Sequence, residues 1–403
     1  MDAFTVMTGT TDPYRIDTPA SHRNALWLSK AWKAFGMAQI HTRGLHYALV
    51  SMPNLIKPDG KPYINSAEDW IFLQRIVGHA RWLGYIDFDA ITDERNAGPE
   101  IFLYPEVDDA GVKLKHNAEH LCWIPSLPVV SVVSNPPVAR QAYRLVLIGE
   151  KSSLRNVLRP ICKKYEAELV LPTGELSTTL LYGIVRRAAD DGRPCRIFYL
   201  SDFDPTGIHM PVEVSRKIQA LCHLKFQNLD IELRRCALLV NQVKTLGLPE
   251  TPMKDSEKRA GKWRQRFGCE QTEIDALATL RPDVLNEIVE RDLTPFFDFT
   301  LQERQKQAYK VAQDTTQQIV DKAVSHYKTE LHELAALIQN AVAALKVASN
   351  IANPLFEKIK SQIVPVEPRL VEPKLNRRNF GDALFSSLDS FEVTTSKLLE
   401  EKL

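Results

Sequence analysis

Three acidic side chains at the ends of two apolar runs carry the densest chemistry in this 403-residue chain. The run Arg196-Ile197-Phe198-Tyr199-Leu200 has the length and β-rich composition of a strand, and it gives way to Ser201-Asp202-Phe203-Asp204-Pro205-Thr206-Gly207. Strand alternation places Asp202 and Asp204 on one face as the chain turns into the loop. Two carboxylates side by side repel unless a cation lies between them, and Mg2+ is held by one or two such groups together with water and phosphate oxygens. The alternative is that one acid caps the following helix while the other is solvated. A second run, Arg144-Leu145-Val146-Leu147-Ile148-Gly149, ends in Glu150. Active groups of open parallel sheets gather at the carboxyl ends of adjacent strands, so Glu150 is expected to face the aspartate pair and complete a three-carboxylate site.

A second constellation lies near the start. Tyr47 follows Arg43 by one helical turn, so the two can share a face. A phenol has a pKa near 10 and needs cationic help or a base to act as a nucleophile at neutral pH. Arg43 is placed to give that help, and His46 is a second candidate. Spacing alone favours a tyrosine packed in a core with its hydroxyl at the edge.

A strand ending in Glu, followed about fifty residues later by Asp-x-Asp-Pro-x-Gly at the end of another, resembles the Toprim domain. Ser201-Asp202-Phe203-Asp204-Pro205-Thr206-Gly207-Ile208 is similar to the form found in the topoisomerase VI A subunit and the related meiotic double-strand-break enzyme. The resemblance implies that Glu150, Asp202 and Asp204 bind Mg2+. It also maps the family's Arg-x-(Ile/Leu)-(aromatic)-Tyr motif onto Arg43-Gly44-Leu45-His46-Tyr47, with His46 in place of the aromatic. Tyr47 would then attack the DNA backbone to leave a 5′-phosphotyrosyl link, Arg43 would steady the phosphate, and a homodimer would pair the Tyr of one subunit with the metal of the other. Two departures stand out. The chain carries no P-loop, so a separate ATPase subunit is implied for strand passage, and Gly174-Glu175-Leu176-Ser177 replaces the family's Gly-x-Pro segment.

The positioning elements follow. Ala25 to Phe35 reads as a helix interrupted by Gly36, and a second helix is expected after Thr42 as its N-cap. A third is capped by Ser66 and sets Leu73, Ile76, Val77 and Ala80 inward. Its polar positions include Arg75, His79 and Arg81, side chains suited to a DNA groove. Tyr85 to Ile91 alternates as a strand would, and Ile101 to Tyr104 is its expected partner. Three helices and a strand pair make a winged-helix layout over residues 22–98, after a loose leader at 1–21. Residues 99–140 read as wing and connection. Strands near Arg144–Gly149, Glu168–Leu171, Arg196–Leu200 and Leu233–Val240 alternate with helices, which implies a mainly parallel α/β sheet over 141–300, the Toprim domain of the resemblance. Lys258, Arg259, Lys262 and Arg264 make a basic stretch with one aromatic, Trp263, suited to a phosphate backbone or simply to solvent. A helical extension is expected over 301–363, a Pro-rich linker over 364–379 and a final helix over 380–403, serving assembly or a partner subunit.

Composition adds limits. Lys and Arg number 51 against 50 Asp and Glu, so affinity for double-stranded DNA requires local basic faces. The six cysteines include no CxxC pair, which argues for neither zinc nor a disulfide framework. No apolar run reaches spanning length and no signal layout opens the chain, so a cytoplasmic, nucleoid-associated protein is expected. Two further readings remain: a Toprim nuclease in which metal-bound water attacks, as in defence or mobile-element systems, and a non-catalytic DNA-binding scaffold.

Overall fold

The computed structural model describes residues 14–36, 38–93, 96, 98–103, 110–116, 129–172, 174–340, 345–374 and 385–386, with the backbone alone described for 338–340, 345–349 and 385–386. They belong to two compact units, one from 1–103, 143–296 and 377–403, the other from 104–142 and 297–376.

In the first unit, α1 (Pro19–Phe35) starts at Thr18, whose hydroxyl accepts the Ser21 N–H, and stops at Gly36 in the left-handed region, φ 65°. Ile16 is already buried, so the end of the expected leader is anchored. A two-residue β1 (Ile40–His41) leads into α2 (Thr42–Val50). Its N-cap is His41, one residue before the expected Thr42, because the imidazole Nδ1 accepts the Gly44 N–H at 3.1 Å. The third helix, α3 (Ala67–Trp82), is capped by Ser66 as expected and buries Leu73, Ile76, Val77 and Ala80.

The expected strand pair does not form. Phe88–Ala90 close a 3-10 turn through the Ala90 N–H to the Asp87 carbonyl, which keeps the alternating burial without an extended strand. Beyond it, β2 (Ile91–Thr92) pairs in parallel with β1, while β3 (Glu100–Ile101) joins the main sheet instead. Tyr104 lies outside the described residues. The next two strands, β4 (Gly111–His116) and β5 (Val130–Asn135), belong to the second unit.

The main sheet is built from β6 (Arg144–Gly149), β7 (Glu168–Val170), β8 (Cys195–Leu200) and β9 (Ile231–Ala237). Side by side they run β9-β8-β6-β7, all parallel, with β3 antiparallel at one edge. Every residue of β6 and β8 is buried, as continuous apolar strands covered on both faces should be. The crossovers are α4 (Arg155–Lys164), α5 (Thr178–Asp191) and α6 (Pro205–Leu224), so the α/β class and the strand–helix order agree with the sequence reading. One apolar core runs from Leu28, Leu45 and Ile76 of the N-terminal helices to Val146, Ile197 and Leu233 of the sheet. Past β9 come four shorter helices, α7 (Val240–Leu246), α8 (Ala260–Phe267), α9 (Ile274–Leu280) and α10 (Pro282–Leu293).

In the second unit, β4 and β5 pair antiparallel over six residues each, so the stretch expected as a connection supplies a sheet. Three helices follow, α11 (Leu301–Ser325), α12 (Lys328–Asn340) and α13 (Leu345–Ser361). Val112, Val130 and Val132 of the strands share a core with Tyr309, Ala312, Phe356 and Ile359 of the helices. The described part of the Pro-rich segment is not a free spacer. The Val366 N–H donates to Thr316 Oγ1 at 3.0 Å, and the Lys374 N–H to Asp298 Oδ2 at 2.6 Å, which fastens it along α11. The expected C-terminal helix lies outside the described residues, except that β10 (Phe385–Ser386) pairs antiparallel with β9.

Candidate functional site

Parallel register fixes the first two acids. Gly149 at the end of β6 stands opposite Leu200 at the end of β8, and the Glu150 N–H donates to the Leu200 carbonyl at 3.0 Å. A Cβ at Gly149 would lie 2.7 Å from Leu171 Cδ2 and 3.0 Å from Leu154 Cδ1, so those leucines would have to shift to admit one. Glu150 follows at the strand end, beside the loop after β8. There its Oε2 accepts the Asp202 N–H at 3.0 Å.

Asp204 is the N-cap of α6, with Pro205 in the first helical position. Its Oδ1 accepts the N–H groups of Thr206 at 2.8 Å and Gly207 at 2.5 Å. Phe203, between the two aspartates, is buried against Trp263 and Phe267 at 4.8 and 5.2 Å between ring centroids. The capping alternative is thus half correct: Asp204 caps, but Asp202 is buried rather than solvated. The loop is tight enough to require glycine at 207, where a Cβ would overlap the Asp202 carbonyl oxygen. Gly207→Ala is expected to lower stability by roughly 2–3 kcal/mol, because backbone rather than a flexible side chain must move. A denaturant midpoint equal to wild type would contradict this.

The carboxylates press on one another. Burial, together with the charges of Asp202 and Asp204 and against the Asp202 N–H bond, pushes Glu150 up to about 7. Burial also raises Asp202, despite its bonds to the Ile274 N–H and Lys151. Asp202 Oδ1 accepts the Ile274 N–H at 2.7 Å, and its Oδ2 lies 3.0 Å from Lys151 Nζ. The same ammonium is 3.1 Å from both Glu273 Oε2 and Asp275 Oδ2. Sequence reasoning missed Lys151, Glu273 and Asp275 as neighbours of the aspartate pair. Lys151 directly follows Glu150, but no spacing signal links it to Glu273, 122 residues away, or to Asp275 beyond it.

Among the described residues, no group of three or more His, Cys, Asp or Glu side chains is arranged to hold a metal ion as it stands. Asp202 Oδ2 is paired with Lys151 instead. The donor chemistry nevertheless suits a hard cation: all oxygens, mutually repelling, with Glu150 Oε1 and Asp204 Oδ2 accepting no hydrogen bond from the described residues.

The tyrosine is placed differently from a core residue. Tyr47 on α2 is 55% exposed, and no hydrogen bond from a described residue reaches its hydroxyl. Arg43, one turn earlier, is exposed and lays its guanidinium over the Trp70 ring at 4.4 Å. His46 is not available to assist. It is buried, with Nδ1 at 2.7 Å from the Tyr63 hydroxyl and Nε2 at 3.2 Å from Asn65 Oδ1.

The basic candidates divide as well. On α3, Arg75 is exposed and His79 half-buried, but Arg81 faces inward. Its guanidinium donates to the Phe88 carbonyl at 2.8 Å and lies over the Phe88 ring, and burial pulls it down to about 10. Arg81 therefore positions the 3-10 turn and is not a groove contact. In and before α8, Lys258, Arg259, Lys262 and Arg264 are exposed, while Trp263 is the buried anchor that docks this helix on Phe203. Arg264 is paired with Glu270. Arg259 is paired with Glu257 and also reaches the start of α6, donating to the Pro205 carbonyl and to Thr206 Oγ1, both at 3.1 Å. The basic stretch thus borders the acid cluster.

Cys162, Cys195, Cys222, Cys236 and Cys269 are free thiols, and no described helix is long and apolar enough to cross a membrane. No protein-family model matches the chain, and no curated protein is significantly similar to it.

Proposed function

We propose that this chain is a DNA-cleaving transesterase of the topoisomerase VI A type, acting as a homodimer on double-stranded DNA in the cytoplasmic nucleoid. The observation that carries the reading is that Glu150, at the end of β6, accepts the N–H of Asp202 in the loop after the adjacent parallel strand β8, with Asp204 two residues on. In this reading the N-terminal helices form a winged helix and the sheet a Toprim domain. Glu150, Asp202 and Asp204 would hold Mg2+, and the chemistry that ion would supply is charge shielding at the scissile phosphate. The Tyr47 hydroxyl oxygen gives up its proton and attacks phosphorus, the tyrosyl–phosphate bond forms as the P–O3′ bond breaks, the 3′ oxygen takes up a proton and leaves as a 3′-hydroxyl, and a 5′-phosphotyrosyl link results. Arg43 offers its guanidinium to the phosphate from a stacked, pre-oriented position. Exposure of Tyr47 supports its reaching a duplex. Arg75 and His79 contact the groove, while Lys258 and Lys262 follow the backbone with Arg259 and Arg264 beside them. The helical unit around α11 to α13 receives the ATPase or another partner subunit.

A hydrolytic Toprim nuclease is the second reading, favoured by the lack of any described base on the Tyr47 hydroxyl. The two separate in one experiment. Labelled duplex is incubated with Mg2+, quenched with denaturant and resolved with and without protease. Label retained by protein until proteolysis supports the transesterase, whereas free cut ends without an adduct support the nuclease.

The basic rim gives an independent expectation. Lys258→Ala with Lys262→Ala should weaken duplex binding without regard to sequence and lower the salt slope of log K by about 2. An unchanged slope in a salt titration would remove these residues from the interface.

A further inference from the structure

We infer that Lys151 is a built-in counter-cation that competes with the divalent ion for Asp202 and withdraws onto Glu273 and Asp275 when the ion enters; this rests on the Mg2+-binding reading of the acid cluster. The ammonium stands 3.0 Å from Asp202 Oδ2 and 3.1 Å from each of the other two acids. Three anions around one ammonium are more than a single ion pair requires, and they lie on two different parts of the chain. Asp202 sits in the loop after β8, and Glu273 and Asp275 flank the start of α9.

The two sets of partners differ in freedom. Asp202 is buried and fixed from the other side by the Ile274 N–H on Oδ1, so its Oδ2 has one direction in which to act. Glu273 and Asp275 are about half and a third exposed, and Asp275 also accepts from Ser153 Oγ at 2.5 Å. Lys151 retains these two when it yields Asp202, so its charge stays paired during the exchange. Its side chain is itself a quarter exposed, which gives it room to move. The arrangement keeps the apo cluster partly neutralised, and it makes ion loading a replacement of one cation by another. Ile274 connects the exchange to α9, because the N–H it gives Asp202 lies between Lys151's two other partners.

The test is divalent affinity without DNA, measured by Mn2+ electron paramagnetic resonance and by the rise in melting temperature on adding Mn2+ or Mg2+. Lys151→Met removes the competing charge and is expected to tighten Mn2+ binding by about tenfold, the usual scale for one charge at contact distance. It should also lower the melting temperature of the metal-free protein and enlarge the metal-induced rise. Lys151→Arg keeps the charge and should stay within about threefold of wild type. Equal or weaker Mn2+ binding by a folded Lys151→Met protein, with wild-type binding intact, overturns the competition and leaves the metal reading standing. No Mn2+ binding by either protein overturns both.

Discussion

Tyr47→Phe is expected to abolish the covalent protein–DNA adduct while leaving fold and duplex binding intact. The change removes one oxygen from a side chain that is 55% exposed and accepts or donates no hydrogen bond among the described residues. No packing and no buried polar partner are lost, so stability should stay within about 0.5 kcal/mol of wild type. The chemical effect is of another size. Without the phenol there is no atom to form the tyrosyl–phosphate bond, and adduct should fall by about a thousandfold or more, to background. The contrast between an intact melting curve and a lost adduct makes the variant informative, because destabilisation cannot produce it. Arg43→Ala should lie between, since it removes phosphate stabilisation but leaves the nucleophile. If Tyr47→Phe still yields cut ends that depend on Mg2+, the attacking group is water and the nuclease reading replaces the transesterase.

The sheet was legible because its strands are continuous apolar runs separated by helices with ordinary caps. β6 begins and ends at the expected residues, and Ser66 and Gly36 end their helices as side-chain and left-handed caps should. Local pattern failed where a partner far along the chain decided the outcome. Residues 85–91 keep the alternating burial of a strand, yet the alternation comes from a 3-10 turn whose Phe88 ring stacks on Tyr182 at 4.8 Å. Arg81 had a polar identity and a helix-surface position, but the Phe88 carbonyl and ring draw it inward. Residues 99–140 read as a connection because the apolar faces of β4 and β5 are covered by α11 and α13, far later in the chain. In the acid cluster the sequence showed the anions and not the cation: Lys151 is adjacent to Glu150, but its role depends on Asp202, Glu273 and Asp275, which only the folded sheet brings to it.

Glu150→Gln is expected to lose metal-dependent cutting and, in the same protein, gain stability. The amide oxygen can still accept the Asp202 N–H that Glu150 Oε2 accepts at 3.0 Å, so the strand-end geometry is retained. What disappears is a charge pressed by burial and by Asp202 and Asp204, which lift the group from its ordinary 4.5 to about 7. The sign of the pH dependence follows. Between pH 4.5 and about 7 the folded wild type holds this proton more tightly than the unfolded chain, so its stability falls as pH rises through that window and levels off above it. Glutamine has no proton to lose. The melting temperatures of variant and wild type should coincide near pH 4.5, diverge through the window and differ most by pH 8, with the variant higher. Added Mg2+ should close the gap by stabilising the wild type alone. Cutting by the variant should fall about a hundredfold or more at every pH, since a neutral oxygen is a poor ligand for a hard cation. Burial first, and the neighbouring carboxylates after it, make this charge costly in the free protein, and a cation bound beside it would relieve that cost. A variant that melts below wild type at pH 8 would show instead that Glu150 serves chiefly to hold the Asp202 backbone.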